Sequence, residues 1–235
     1  MLIETVGAVG IGDMGGAVAA ALKSNGLRVM TVLEGRSERS RFLASDHGLE
    51  DAGSIAGLVE ECDLILSILA PATGPAVAKS VADCLSESGG DVVFADCNAV
   101  SPQTSIQMAR TISDAGGQYV DGGIIGGPPR TGYAPRFYVS GTHRAAVLDL
   151  DGKGIQVMDG GDEVGRASAI KMCYASMTKG ISALQTAMMS ASARLGVYDE
   201  LVAELKSSQS DALARIESSV QRLPSVAGRW IGEME

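Results

Sequence analysis

The sequence predicts an α/β protein: a mostly parallel sheet domain followed by a smaller all-α domain. Three observations predict it. Short apolar runs alternate with helical patterns over roughly the first 140 residues, which means parallel strands with helices on both faces. A loop, Gly10-Ile11-Gly12-Asp13-Met14-Gly15, directly follows the first apolar run and opens a helix. Beyond about residue 160 the strand patterns stop and long helical periodicities take over.

Residues 5–9 read as a buried strand and residues 14–24 as a helix of small side chains. A second strand is expected over 28–33, then helices over 37–44 and 54–60. The apolar run 63–69 is a strand stopped by Ala70-Pro71. A helix over 76–85 and a strand over 91–96 follow, then a helix over 101–115 with Pro102 in its first turn. Residues 119–121 and 136–140 are the later strands. Residues 162–195 form one long helical pattern: Ile170, Tyr174, Met177, Ile181, Leu184 and Met188 step by four and three, which marks one apolar face. Gly196 ends it. A second helix is expected over 199–222, broken by Pro224, and a third from about residue 227.

Composition narrows the function. The chain has 235 residues, 46% hydrophobic and 20% charged, with a net charge of −9. Such an acidic balance argues against nucleic acid or an anionic membrane as partner, so any phosphate site must be local. Cys62, Cys84, Cys97 and Cys173 form no CxxC pair, so reduced, buried thiols in a cytoplasmic protein are expected. The N-terminus carries no leader pattern, and no apolar run is long enough for a membrane span. His47 and His143 sit in polar stretches, and no metal site is expected.

The glycine loop carries the strongest signal. Gly10 permits a tight turn, Gly12 a close backbone approach to a pyrophosphate, and Gly15 close helix–strand packing, with Asp13 and Met14 opening the helix between them. A helix N-terminus adds free N–H groups and partial positive charge. This is the Rossmann dinucleotide fingerprint, with the strand before it and the helix after it. The expected domains are therefore a dinucleotide-binding domain, 1–160, and a helical domain, 161–235, with the long helix as hinge between them. The second strand ends in Leu33-Glu34-Gly35-Arg36-Ser37-Glu38-Arg39. Glu34 suits the ribose of NAD, but Gly35 occupies the expected acidic position. Arg36 and Ser37 suit the 2′-phosphate of NADP, which is the expected cofactor.

Lys171 lies one position off the apolar stripe of the long helix, sharing a face with Tyr174, Ala175 and Thr178. A lysine at the edge of a buried face can be partly desolvated and become a usable proton donor and acceptor, but its position alone favours a surface lysine whose stem lies along apolar surface. Lys179 reads as a solvated lysine.

Together these segments resemble the β-hydroxyacid dehydrogenase family, relatives of 6-phosphogluconate and 3-hydroxyisobutyrate dehydrogenases. Residues 6–15 are similar to its opening strand and GxGxMG loop, and Gly35-Arg36-Ser37 to its Asn-Arg-Thr turn. The resemblance implies that Leu69, Ala70 and Pro71 lie along the cofactor and that Asn98 stands near the nicotinamide. It implies a substrate segment at Ile125, Gly126 and Gly127; Arg130 and Arg136 are candidate anion partners or solvated loop charges, and Tyr174, next to Ala175, is a further candidate substrate residue. It makes Lys171 the catalytic residue. Two positions depart from the family: Ala175 stands where an Asn is common, and Ile125 where a Ser is. The stretch 171–180 resembles a branch with a C-terminal domain of unknown function. Members carry further helices, so a shortened helical domain is expected. The implied activity is NADP-dependent hydride transfer to or from a small hydroxy acid or related alcohol, with Lys171 as general acid/base. A non-redox lyase on the same scaffold and a non-catalytic nucleotide-binding protein remain open on the same residues. The apolar stripe implies a homodimer.

Overall fold

In the computed structural model, residues 2–220 and 223–226 are described. The sheet elements are β1 (Thr5–Val9), β2 (Arg28–Thr31), β3 (Glu50–Asp51), β4 (Leu64–Ser67), β5 (Val93–Asp96), β6 (Gln118–Ile125), β7 (Arg136–Ser140) and β8 (Gln156–Asp159). Their order in the single eight-stranded sheet is β3-β2-β1-β4-β5-β6-β7-β8. Every pair is parallel except β6 with β7. Between the strands lie α1 (Asp13–Ser24), α2 (Glu38–Asp46), α3 (Ile55–Glu61), α4 (Gly74–Ser88), α5 (Pro102–Asp114) and the short α6 (Ala145–Leu148). The chain then becomes helical: α7 (Arg166–Leu195), α8 (Tyr198–Ser208), α9 (Ser210–Val220) and α10 (Leu223–Val226).

Side chains alternate across the sheet, as a sheet buried on both faces requires. Val6, Ala8, Leu64, Leu66, Val93 and Ala95 enter one apolar cluster with Leu22, Phe137 and Ile155. Val9, Ile65 and Phe94 enter the other with Leu58, Ile112 and Tyr119. The order reverses between β1 and β4, the switch point at which open α/β sheets bind ligands beyond the carboxyl ends of their strands. The chain divides into two compact units, residues 1–171 and 172–235.

Several expectations are corrected. β3, α6 and β8 were not anticipated. β8 is a sheet-edge strand with only Val157 buried, too polar to show a pattern. β6 runs on through Gly122 and Gly123 to Ile125, so the substrate segment begins inside a strand. The long helix starts at Arg166, after Gly165 with φ +100°, and not at residue 162. The second helix is interrupted at Gln209, where no glycine or proline announces a break. Pro224 lies within α10, and the helix expected from residue 227 falls outside the described residues. The apolar face of α7 is not buried: Ile170 is 37%, Met177 57% and Leu184 72% exposed. Lys179, expected in solvent, is buried instead, one turn from buried Ala175 on a different face of α7. Cys62 and Cys97 are buried as expected, but Cys84 is only half-buried and Cys173 is exposed.

Candidate active site

The loop after β1 shows why each glycine is needed. Gly10 has φ +103°, and a Cβ there would lie 2.3 Å from the carbonyl oxygen of Ile68. A Cβ on Gly15 would lie 1.9 Å from the carbonyl oxygen of Gly10. Both are demanded by the chain's own backbone. Gly12 differs: a Cβ there would meet nothing within 4 Å. The packing of the protein does not require glycine at this position, so the open space is what an approaching ligand would use. Gly12 is also the N-cap of α1 and supplies no side-chain cap, which leaves the N–H groups of the first turn to an external acceptor. Asp13 pairs with Arg39 beside the loop, and Met14 packs against the apolar cluster. A cradle of bare backbone at an uncapped helix start fits a dinucleotide pyrophosphate.

At the end of β2, Gly35 has φ +65°. The turn needs a left-handed residue, which explains glycine at the place where an acid was expected. Arg36 is half-buried, and its carbonyl oxygen accepts from Arg41 Nε. Ser37 caps α2, its Oγ accepting from the Ser40 N–H. Arg39 is committed to Asp13, so among the described residues Arg36 is the guanidinium of this turn that stands outside an ion pair.

The ends of β4 and β5 are tied by one amide. Asn98 is 3% exposed. Its Oδ1 accepts from the Leu69 N–H at 2.5 Å, and its Nδ2 donates to Ser67 Oγ at 2.9 Å and Asp96 Oδ1 at 2.6 Å. Asn98 thus braces the turn Leu69-Ala70-Pro71 from behind. Asp96 is 1% exposed, and burial pushes its carboxyl up to about 6. Hydrogen bonds from Asn98 oppose that rise, while the neighbouring Asp121 charge adds to it. The two acids are direct partners in the β5–β6 register.

The third part of the site is built on β6. Asp121, Gly123 and Ile125 alternate onto one face of the strand. Across the antiparallel pair they face Ser140, Tyr138 and Arg136. The start of α7 lies on this face. A Cβ on Gly123 would come within 2.9 Å of both the Ala167 carbonyl oxygen and Lys171 Cβ. Gly123 is therefore the seat of the helix, and Lys171, half-buried, stands on it. The next row along the strand is Ile125, 4% exposed, with Arg136 opposite. Tyr174 belongs to the second compact unit and is 43% exposed.

Within the substrate segment, the Gly127 N–H donates to Tyr133 Oη at 3.1 Å. Tyr133 also lies over Gly126, where φ is +122°, and carries Arg130 above its ring at 5.1 Å. The hairpin closes on itself, which leaves Arg136 as the cation on the face of Lys171. Sequence reasoning missed Tyr138, which the β6–β7 register sets opposite Gly123. Alternation within residues 136–140 groups Arg136, Tyr138 and Ser140, but only the register with β6 puts them beside Gly123.

The loop after β1, the turn after β4, Asn98 after β5 and Ile125 at the end of β6 thus lie at the carboxyl ends of neighbouring parallel strands. Residues 5–149 match the family described as the NAD binding domain of 6-phosphogluconate dehydrogenase, and residues 193–235 match a domain of unknown function. An uncharacterized 28.5 kDa protein of Methanothermus fervidus is 26% identical over 204 residues, 87% of this chain and 77% of that protein. A conserved protein of unknown function, reported as structurally similar to 3-hydroxyacid dehydrogenases, superposes with a TM-score of 0.74 at 28% identity, covering 97% of this chain and 86% of that one. The Mycobacterium tuberculosis 3-hydroxyisobutyrate dehydrogenase solved with L-serine shares the fold, with a TM-score of 0.69 at 18% identity, covering 88% of this chain and 71% of that one.

Proposed function

Since this chain belongs to the family of the NAD-binding domain of 6-phosphogluconate dehydrogenase, we propose that it is an NADP-dependent oxidoreductase acting on a small hydroxy acid or related alcohol. The observation that carries the reading is Lys171 standing on Gly123, near the carboxyl end of β6 and on the same end of the sheet as the glycine loop. When bound, the nicotinamide accepts or supplies the hydride. The chain's own residues do the rest. The backbone from Gly10 to Gly15 holds the pyrophosphate, with Asp13 and Met14 opening its helix. Arg36 and the Ser37 turn hold the 2′-phosphate and favour NADP over NAD. Leu69, Ala70 and Pro71, braced by Asn98, form the wall along the nicotinamide half. Lys171 Nζ takes the proton from the substrate hydroxyl in oxidation and returns it to the carbonyl oxygen in reduction. Arg136 pairs with a substrate carboxylate beside Ile125.

The test is turnover across a panel of small hydroxy acids and alcohols with NADP, followed by the absorbance of the reduced nicotinamide. Lys171→Ala is expected to lower kcat about 100-fold or more while NADPH affinity stays unchanged. Full turnover in that variant overturns the assignment. The exposed stripe Tyr174, Met177, Ile181 and Leu184 is proposed as the face that a second copy covers in a homodimer. Light scattering on the purified protein checks this, and a monomer counts against it.

A further inference from the structure

Asp121 is 1% exposed and receives five hydrogen bonds. Ser105 Oγ of α5 donates to Oδ1 at 2.8 Å, and Ser168 Oγ of α7 donates to the same oxygen at 2.5 Å. Oδ2 accepts from Ser140 Oγ of β7 at 2.9 Å, from the Gly165 N–H at 2.9 Å and from the Ser168 N–H at 3.1 Å. Three of the five come from residues at the very start of α7. Isolated in an apolar interior, a carboxylate would cost several kcal/mol; with its acceptor sites filled it becomes a rigid node. A carboxylate accepting the first N–H groups of a helix fixes where that helix begins and how it is rotated.

Two positions along the same face of β6, Gly123 receives Lys171 Cβ. Lys171 follows Ser168 by three residues, so it lies one turn beyond the clamp on the same side of α7. Ser140 fastens the node to the neighbouring strand and also accepts from the Ala167 N–H at 3.1 Å. We propose that Asp121 is a positioning residue for Lys171: by clamping the first turn of α7 to β6, β7 and α5, it holds the lysine in place over Gly123. The inference rests on the proposed role of Lys171, but its test does not depend on turnover.

Asp121→Ala removes all five acceptor contacts. Asp121→Asn keeps a carbonyl oxygen for the Gly165 and Ser168 N–H groups, and its amide nitrogen replaces Oδ1, where both partners are hydroxyls able to accept. The readout is the rate at which acetic anhydride acylates Lys171, measured by mass spectrometry against exposed Lys206 in the same chain. A cooperative chemical-denaturation transition reports that each variant is folded. Asp121→Ala is expected to raise the relative acylation of Lys171 about threefold or more, as loosening of a buried first turn predicts, and Asp121→Asn to restore it toward wild type. An unchanged rate in folded Asp121→Ala, or Asn behaving as Ala does, overturns the proposal. If Asp121→Ala does not fold, Ser168→Ala replaces it. Amide exchange over residues 166–171 is then expected to speed up about tenfold while residues 5–9 keep their protection, and unchanged exchange overturns the proposal. Loss of turnover in Lys171→Ala tests the lysine's chemistry separately, so failure of one reading leaves the other measurable.

Discussion

Two helix starts meet the candidate site, and they are finished in opposite ways. α1 begins at Gly12 with no side-chain cap and open space where a side chain would stand. α7 begins against the chain's own buried carboxylate, Asp121, which accepts from Gly165 and twice from Ser168. Both helices pack closely because a glycine removes the obstruction: Gly15 within α1, against the Gly10 carbonyl, and Gly123 on β6, beneath α7. The difference lies in who supplies the negative charge that a helix N-terminus attracts. At α1, in the proposed function, the place is left for a ligand's phosphates. At α7 the protein fills it, so the helix serves as a mount for Lys171.

The comparison can be broken most severely at Gly15. Gly15→Ala would drive a methyl into the Gly10 carbonyl oxygen, so a destabilisation of about 3 kcal/mol is expected, measured by chemical denaturation. Gly12→Ala sharpens it from the other side. Nothing in the protein crowds that position, so stability should stay as in wild type. NADPH affinity should fall about 10- to 100-fold in a fluorescence titration, the cost of one methyl in a tightly approached phosphate. Intact affinity in Gly12→Ala would remove the reason for calling α1 the open start.

Arg36→Ala probes what the open start binds at its far end. A lost charge-assisted hydrogen bond predicts about tenfold weaker NADPH binding with NADH binding unchanged. Equal loss for both cofactors would argue against a 2′-phosphate contact. The smallest effect concerns the acid beside the closed start. Burial raises the Asp96 carboxyl from 3.8 to about 6. A folded-state value above the unfolded one means stability that is fully present below about pH 4 and lost as pH rises through about 6. Between pH 5 and pH 7 this group should remove about 1 kcal/mol, a component absent in Asp96→Asn; identical pH dependence in the two proteins would contradict it.

The same contrast explains what could be read in advance. The α1 start was legible because its constraints are local. Strand, three glycines and helix follow one another, and each glycine answers to a neighbour in the chain or in the adjacent strand. Gly35-Arg36-Ser37 was legible as an Arg-bearing turn for the same reason, although only the left-handed backbone at Gly35 shows why glycine replaces the acid. The α7 start was half legible. Lys171 was singled out by the family resemblance of its segment, but the buried face assigned to the apolar stripe beside it was wrong, and Lys179 was placed in solvent when it is buried.

By itself the sequence determined the mostly parallel sheet, the glycine loop after its first strand, the helical C-terminal part and, through the family resemblance, the candidate lysine. Periodicity and turn chemistry act over a few residues and leave their mark directly on residue order. Only the tertiary structure decided that Asp121 and Ser168, 47 residues apart, share a hydrogen bond. The antiparallel register that sets Arg136 and Tyr138 beside the lysine is equally non-local, and so is the closure of Tyr133 over Gly127. A buried carboxylate can be satisfied by donors from any element that packs against it, so its partners follow from the packing of the chain and not from the residues around it in sequence.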